Sequence, residues 1–195
     1  MPRRPLSAAQ IQKREQNAFS RRVQSAFKNA GFEYLSTGDI EKQFGSKTGE
    51  LDGAFLYENV LVICEETISS SGNIKAHAIN KSVLCKEITG NRAQLLDWLK
   101  ADFADKFAKF DSYTEPRYKI LFVYITKNKF NPSDDDRNLL QPMQIVENKD
   151  LNYLHKLSQN IKFSARNEFF RFLGLKNSDV GSISDGDDQS KIKTT

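Results

Sequence analysis

The sequence predicts an α/β fold in which a mixed β-sheet is flanked by helices. Residues 7–30 place apolar side chains at helical spacing, residues 49–67 have the composition of two strands joined by a tight turn, and residues 120–125 are all apolar. A strand that is apolar on both faces requires helices on both sides of the sheet. With 195 residues, 38% of them hydrophobic, the chain is long enough for one domain, expected over residues 1–175.

The first predicted element is an amphipathic helix. Phe19, Val23 and Phe27 recur every four residues, and Gly31 follows where a helix would end. Residues 1–30 contain seven Lys and Arg side chains but a single acid, Glu15. This charge suits a helix that lies along a phosphate backbone, although an ordinary solvated helix face explains the charge run equally well.

A short strand over residues 32–35 and a β-hairpin are predicted next. Glu58 and Asn59 are taken as the two-residue loop, because Asn tolerates a positive φ and the flanking segments are β-branched and aromatic. Paired residue numbers then sum to 117 along the hairpin, and side chains two apart share a face. One face therefore carries Glu50, Asp52, Ala54, Leu56, Leu61, Ile63, Glu65 and Thr67.

This register places two acids opposite each other, Asp52 and Glu65. Carboxylates whose Cβ atoms lie roughly 5 Å apart on an apolar face require neutralisation, and a hard divalent cation such as Mg²⁺ or Mn²⁺ supplies it. The alternative is a solvated strand end, and a slip of one residue would bring Glu66 beside Asp52 instead. The chain has two histidines without metal-ligand spacing, which argues against zinc.

The order Glu-Leu-Asp-Gly followed by Val-Ile-Cys-Glu-Glu-Thr resembles the core motif of the PD-(D/E)XK, or restriction-endonuclease-like, superfamily. The resemblance implies a restriction-endonuclease-like core, with Asp52 and Glu65 at its two acidic positions and bound Mg²⁺ or Mn²⁺. It also implies that Glu50 assists the metal site and that Glu15, on the first helix, is a further candidate ligand. The usual lysine of the motif is replaced here by Thr67.

A lysine from elsewhere is therefore expected to supply the missing positive charge. A helix predicted to begin near Asn73 carries Lys75, His77 and Lys81, and the last two share a face because they are four residues apart. Lys75 or Lys81 is the candidate catalytic cation. The alternative is that both lysines are ordinary exposed helix charges.

The remaining elements follow from local patterns. We expect a second helix after Gly90-Asn91, with a stripe of Leu95, Leu99, Phe103, Phe107 and Phe110. Further expectations are a buried strand over residues 118–125, a loop over 131–136, a strand over 143–146, a helix with Asp150 as its N-cap, and a helix over 165–173. Residues 176–195, rich in Ser, Asp, Gly and Lys, are expected to be a disordered tail or a linker.

Composition narrows the possible environments. No apolar run approaches the roughly 20 residues that cross a bilayer, and the first residues lack the apolar core of a secretory signal. We therefore expect a cytoplasmic protein with no membrane partner, in which Cys64 and Cys85 are buried reduced thiols. The net charge of +4 favours polyanionic partners.

These patterns lead to one expected function and one alternative. The first is a Mg²⁺-dependent deoxyribonuclease that hydrolyses phosphodiester bonds in DNA. The alternative is a catalytically inactive module that keeps the nuclease fold for nucleic-acid binding or for assembly, as a homodimer or with a partner protein. The replacement of the lysine by Thr67 is the main support for the alternative.

Overall fold

The computed structural model describes residues 6–69, 71–176 and 179–181. The helices are α1 (Ala8–Asn29), α2 (Ser71–Gly90), α3 (Arg92–Asp102), α4 (Ala104–Phe107), α5 (Asp134–Leu140), α6 (Asn148–Ile161) and α7 (Arg166–Phe172). The strands are β1 (Glu33–Leu35), β2 (Glu41–Phe44), β3 (Lys47–Glu50), β4 (Gly53–Tyr57), β5 (Val60–Thr67), β6 (Lys119–Thr126) and β7 (Met143–Glu147). Short 3₁₀ helices cover Glu115–Arg117 and Lys162–Ala165.

Five strands form one mixed sheet in the order β1-β4-β5-β6-β7, and β2 and β3 form a separate two-stranded sheet. The β1–β4 and β4–β5 pairs are antiparallel, whereas the β5–β6 and β6–β7 pairs are parallel. Helices cover both faces of this sheet. The predicted α/β architecture with a mixed sheet flanked by helices is confirmed.

The register of the β4–β5 hairpin is the predicted one. Tyr57 pairs with Val60, and the pairing continues to Gly53 and Cys64 with residue numbers that sum to 117. The positive φ of the turn falls on Glu58, at 51°, and not on Asn59 as expected. Asn59 is buried and serves a different purpose, because its amide donates to the carbonyls of Arg117 and Asp179.

The predicted extension of this ladder to Glu50 is wrong. The hairpin pairing ends at Gly53, and Glu50 instead belongs to β3, where it lies opposite Glu41 in the two-stranded sheet. The chain bends at Leu51 and Asp52 between the two sheets. Asp52 therefore stands just before β4, outside the regular ladder, and its side chain is free to turn towards β5.

Alternation along the hairpin sorts side chains into two apolar cores. Leu56, Leu61 and Ile63 belong to the core that contains Ile74 and Ala78 of α2. The opposite face belongs to the core with α1, α6 and α7, to which it contributes Phe55, Val60, Val62 and Cys64. In that second core Phe27 of α1 stacks on Phe55 with ring centroids 4.3 Å apart. The face on which the acids were predicted is therefore the face covered by α2.

The parallel strands end together. Thr67 of β5 is level with Thr126 of β6, which is level with Glu147 of β7. We call the sheet edge defined by these three residues the carboxyl edge. In sheets with parallel strands, ligands bind in crevices beyond such an edge.

Several local predictions required correction. The stripe expected on one helix is divided, because α3 ends at Asp102 and Phe110 lies beyond α4. Residues 134–136 are not a loop but the first turn of α5, where Ser133 and Asp136 form a capping box. Asp150 is not the N-cap of α6; that position is Glu147, whose backbone amide donates to the Asp150 carboxylate. Acids stabilise the positive end of a helix from either position, so composition alone did not distinguish them.

Most of the expected tail at residues 176–195 lies outside the described residues. In its described part, the backbone N–H of Gly181 donates to Asn59 Oδ1 at 2.7 Å. No helix in the described part of the chain is both long and apolar enough to cross a membrane.

Candidate active site

Asp52 lies at the bend that leads into β4 and is half-buried. Its Oδ2 atom accepts a hydrogen bond of 2.6 Å from the backbone N–H of Glu66. The bend thus points the carboxylate at the far end of β5, the strand that carries the second acid. The hairpin ladder ends at the pair of Gly53 and Cys64. Asp52 lies one residue beyond this pair, where the chain bends away from the ladder.

Glu65 is the second acid and is almost completely buried, with a relative exposure of 1%. One of its oxygens, Oε2, lies 2.5 Å from Lys81 Nζ in an ion pair, and the Asp52 carboxyl group lies within hydrogen-bonding reach of Glu65. Burial, and then the neighbouring Asp52 carboxylate, raise the pKa of Glu65 to about 8 despite the opposing effect of Lys81. A carboxyl group buried beside a second carboxylate keeps a proton at neutral pH, and a bound cation could take the place of that proton.

Lys81 reaches these acids from α2. Its Nζ atom forms the ion pair with Glu65 and donates a 3.0 Å hydrogen bond to the Glu50 carbonyl. Burial alone would lower the pKa of Lys81, but the charges of Glu65 and Asp52 outweigh burial and raise it. The ammonium group is therefore charged at neutral pH. A cation is present at the acid pair even though Thr67 occupies the lysine position of the motif.

A hydroxyl and imidazole chain adjoins the acids. Tyr124 of β6 is level with Glu65 in the parallel ladder, and its hydroxyl lies 2.8 Å from His77 Nδ1. The buried Thr67 side chain hydrogen-bonds the same Tyr124 hydroxyl. Burial, followed by the charge of Lys81, lowers the pKa of His77, so its imidazole is neutral at pH 7. Sequence reasoning did not identify Tyr124, because its hydroxyl lies inside an otherwise apolar run.

Glu66 points to the opposite face of the sheet, as the alternation requires. Its carboxylate hydrogen-bonds Ser20 of α1, and burial raises its pKa to about 7. The register thus places Glu65, and not Glu66, on the Asp52 face covered by α2. Glu66 remains connected to the site through its backbone N–H, which binds Asp52.

The structure does not bring the other three predicted residues to the acid pair. Lys75 forms a 2.7 Å ion pair with Asp136 of α5, and Glu15 forms a 3.0 Å ion pair with Lys127. The Glu50 side chain is exposed, and only its backbone carbonyl contacts Lys81. Asp52, Glu65 and Lys81 are thus the predicted site residues that share one location.

The side chains at this site determine which metal ion they could hold. No group of three or more His, Cys, Asp or Glu side chains capable of holding a metal occurs within residues 6–69, 71–176 and 179–181. Two carboxylates are present, and Mg²⁺ is commonly held by one or two carboxylates while it keeps several water ligands. The buried Glu65 carboxyl group and the neighbouring Asp52 carboxylate therefore fit Mg²⁺ or Mn²⁺, whereas zinc would require nitrogen or sulfur ligands in addition.

Comparisons with protein-family models, with curated proteins and with solved structures found no match to this chain. The resemblance to the PD-(D/E)XK superfamily thus stays a prediction from the motif residues.

Proposed function

We propose that this protein is a metal-dependent DNA endonuclease with a restriction-endonuclease-like core, in which Asp52 and Glu65 hold Mg²⁺ or Mn²⁺. The observation that carries the proposal is the buried Glu65 carboxyl group, which has the Asp52 carboxylate as a direct neighbour. Burying such a pair is costly for folding, and perturbed acids of this kind cluster at functional sites. Phosphodiester hydrolysis is the chemistry that best uses two carboxylates and a lysine.

Each residue has a definite task in this proposal. When bound, the metal lowers the pKa of a water molecule and neutralises charge on the scissile phosphate. Asp52 and Glu65 would hold this ion, and the charged Lys81 stabilises the negative charge that develops on the phosphate. Neutral His77 has Nδ1 occupied by Tyr124, which leaves Nε2 to accept a proton from a water molecule.

The charge of α1 supports DNA as the substrate. Lys13, Arg14, Arg21 and Lys28 are exposed along this helix. The helix is also tied to the carboxyl edge, because Ser20 hydrogen-bonds Glu66 and Glu15 pairs with Lys127. A basic helix held at the same edge of the sheet, on the face opposite the acid pair, is suited to contact the phosphates of a bound strand.

One observation favours the second candidate, a non-catalytic module for nucleic-acid binding or for assembly as a homodimer or with a partner protein. The Lys81 ion pair already neutralises Glu65 at 2.5 Å without a metal. In this case the acids and Lys81 would form an internal ion cluster that orients β5 and α2. DNA binding by α1 is compatible with both candidates.

The deciding experiment is cleavage of labelled single-stranded and double-stranded DNA with Mg²⁺ or Mn²⁺. Asp52→Asn and Glu65→Gln are compared with wild type and with Asp97→Asn, which removes an exposed acid on α3. Metal-dependent products that disappear in the first two variants and persist in the third support the endonuclease. Intact DNA with every metal, together with retained DNA binding, would establish the second candidate.

A further inference from the structure

A second feature occupies the carboxyl edge, at the end opposite the acid pair. A cleft of about 380 Å³ lies between the segment that follows β6 and the start of α6. Its charged lining residues are Lys129, Arg137, Lys149, Glu147 and Asp150. The cleft is therefore bordered by three cations and two acids.

The two acids are engaged within the fold. Glu147 Oε1 accepts the backbone N–H of Phe130 at 3.3 Å, and Glu147 Oε2 lies 3.4 Å from Lys149 Nζ. The Asp150 carboxylate accepts the backbone N–H of Glu147 as part of the α6 capping box. Both carboxylates are thus used to order the chain around the cleft.

Two of the three cations, by contrast, form no ion pair in the described part of the chain. Lys129 and Arg137 are exposed, and neither forms an ion pair or side-chain hydrogen bond with any residue that the structure describes. They approach the cleft from the β6–α5 segment and from α5, while Lys149 approaches from α6. The cleft therefore presents positive charge from three separate elements to a ligand, as an anion-binding site requires.

Its position relates it to the acid pair. Thr67, Thr126 and Glu147 lie in one row across the sheet, so β5 and β7 end at the same level. Two strand spacings separate them, about 10 Å in all. A DNA strand only a few nucleotides long spans this distance, since each nucleotide advances it by at least roughly 3.4 Å.

We propose that this cleft binds backbone phosphates of the same DNA strand whose scissile phosphate lies at Asp52 and Glu65. This inference rests on the proposed endonuclease function and extends it, because it assigns the path of the strand along the carboxyl edge from β5 to β7. The cleft contacts phosphates and not bases, so it contributes affinity without sequence preference.

The test is DNA binding without cleavage. Anisotropy of labelled single-stranded and duplex DNA is measured in EDTA over a range of salt concentrations, with wild type and with Lys129→Gln/Arg137→Gln. The control is Lys47→Gln/Lys119→Gln, which removes the same charge from exposed positions, one on β3 and one at the opposite end of β6. All four positions are exposed, so both double variants are expected to fold.

For the cleft variant we expect the affinity to fall by about tenfold or more. The slope of the logarithm of the affinity against the logarithm of the salt concentration should become shallower by about one to two. We expect a change of less than about twofold for the control, because its charges lie away from the strand path. Equal weakening of both double variants would overturn the inference, since it would show only a loss of net charge.

The proposal for the cleft can hold or fail independently of the proposed endonuclease activity. Binding is measured without metal and does not depend on catalysis. Cleavage by wild type, combined with equal binding by the two double variants, would overturn the cleft and leave the endonuclease standing. Selective loss of binding in the cleft variant, with no cleavage by wild type, would support the cleft and favour the non-catalytic module.

Discussion

Glu65 is an acidic side chain in an unusual, buried environment. It lies on an apolar strand, it is 1% exposed, and it shares its surroundings with Asp52. The Lys81 ion pair compensates this burial only in part, since the pKa of Glu65 is still raised. An acid in this state destabilises the fold whenever it is ionised and unbound, which links stability to pH and to cations.

The first prediction concerns pH. The pKa of Glu65 is raised to about 8 and that of Glu66 to about 7, both first by burial, so the folded protein binds protons more tightly than the unfolded chain. Without metal, the free energy of unfolding should fall as the pH rises from about 4.5 to about 8, by at least about 1 kcal/mol.

Urea unfolding in EDTA at several pH values measures this dependence. Glu65→Gln should reduce the slope of the profile to the part due to Glu66, whereas Glu50→Gln, which changes an exposed acid, should leave it unchanged. A wild-type profile that rises over the same pH interval would show that Glu65 is ionised at lower pH than its burial requires.

The second prediction distinguishes the two candidate lysines. Lys81→Gln should reduce metal-dependent cleavage by about 100-fold or more, because it removes the cation at the acid pair. Lys75→Gln should change the rate by less than about threefold, since Lys75 forms its ion pair with Asp136 on α5. Single-turnover cleavage rates measure both effects, and the reverse order of the two losses would assign the catalytic charge to Lys75.

Among the secondary-structure elements, the β4–β5 hairpin determines the geometry at both of its ends. At one end its register directs Asp52 and Glu65 to the same face. At the other end the buried Asn59 binds the carbonyls of Arg117 and Asp179 and the N–H of Gly181. The end of the described chain is therefore attached to the turn, away from the acids.

The third prediction concerns this attachment. Asn59→Ala leaves three backbone groups without their partner and should lower the free energy of unfolding by about 1–3 kcal/mol. It should leave Mg²⁺-dependent stabilisation unchanged, because Asn59 and Asp52 lie at opposite ends of the hairpin. Denaturant unfolding checks the first point, with the exposed Asn138→Ala as a control expected within about 0.5 kcal/mol of wild type.

Sequence patterns located the elements more reliably than they located caps. Ser7 and Gln10 form a capping box at the start of α1, where the helical spacing had placed the helix. The sequence predicted a loop at residues 134–136, where the structure has the first turn of α5. A short helix with three acids in its first turn has too few apolar residues to show a helical period. Helix α5 is instead held by contacts with α2, including the Lys75–Asp136 ion pair.

For the whole molecule, the carboxyl edge is the organising feature. It brings together the acid pair at β5, the α1 contacts at Glu66 and Lys127, and the basic cleft at β7. Each group comes from a different part of the sequence, and the parallel register of β5, β6 and β7 places them side by side. Under the proposed function, a strand of DNA would follow this edge from the acid pair to the cleft.

The fourth prediction applies to the folded molecule as a unit. Mg²⁺ should raise the melting temperature by about 2–4 °C for each kcal/mol of binding free energy, and more above pH 8 than at pH 6, because binding requires ionised Glu65. Asp52→Asn should abolish the shift. Calorimetry with Mg²⁺ and with K⁺ at matched ionic strength checks this, and an equal response to both salts would contradict a specific site.

The sequence by itself determined the α/β fold class and the hairpin register as far as Gly53 and Cys64, whereas Asp52 reaches the end of β5 from a bend outside this ladder. The fold class and this register depend on local rules, because a two-residue turn and a period of two specify every pair of a hairpin. Only the tertiary structure decided that Lys81 and not Lys75 meets the acids, that Tyr124 links Thr67 to His77, and that a basic cleft shares the edge. Those contacts join residues far apart in the chain, and they follow from how α2, β6 and α6 pack around the sheet.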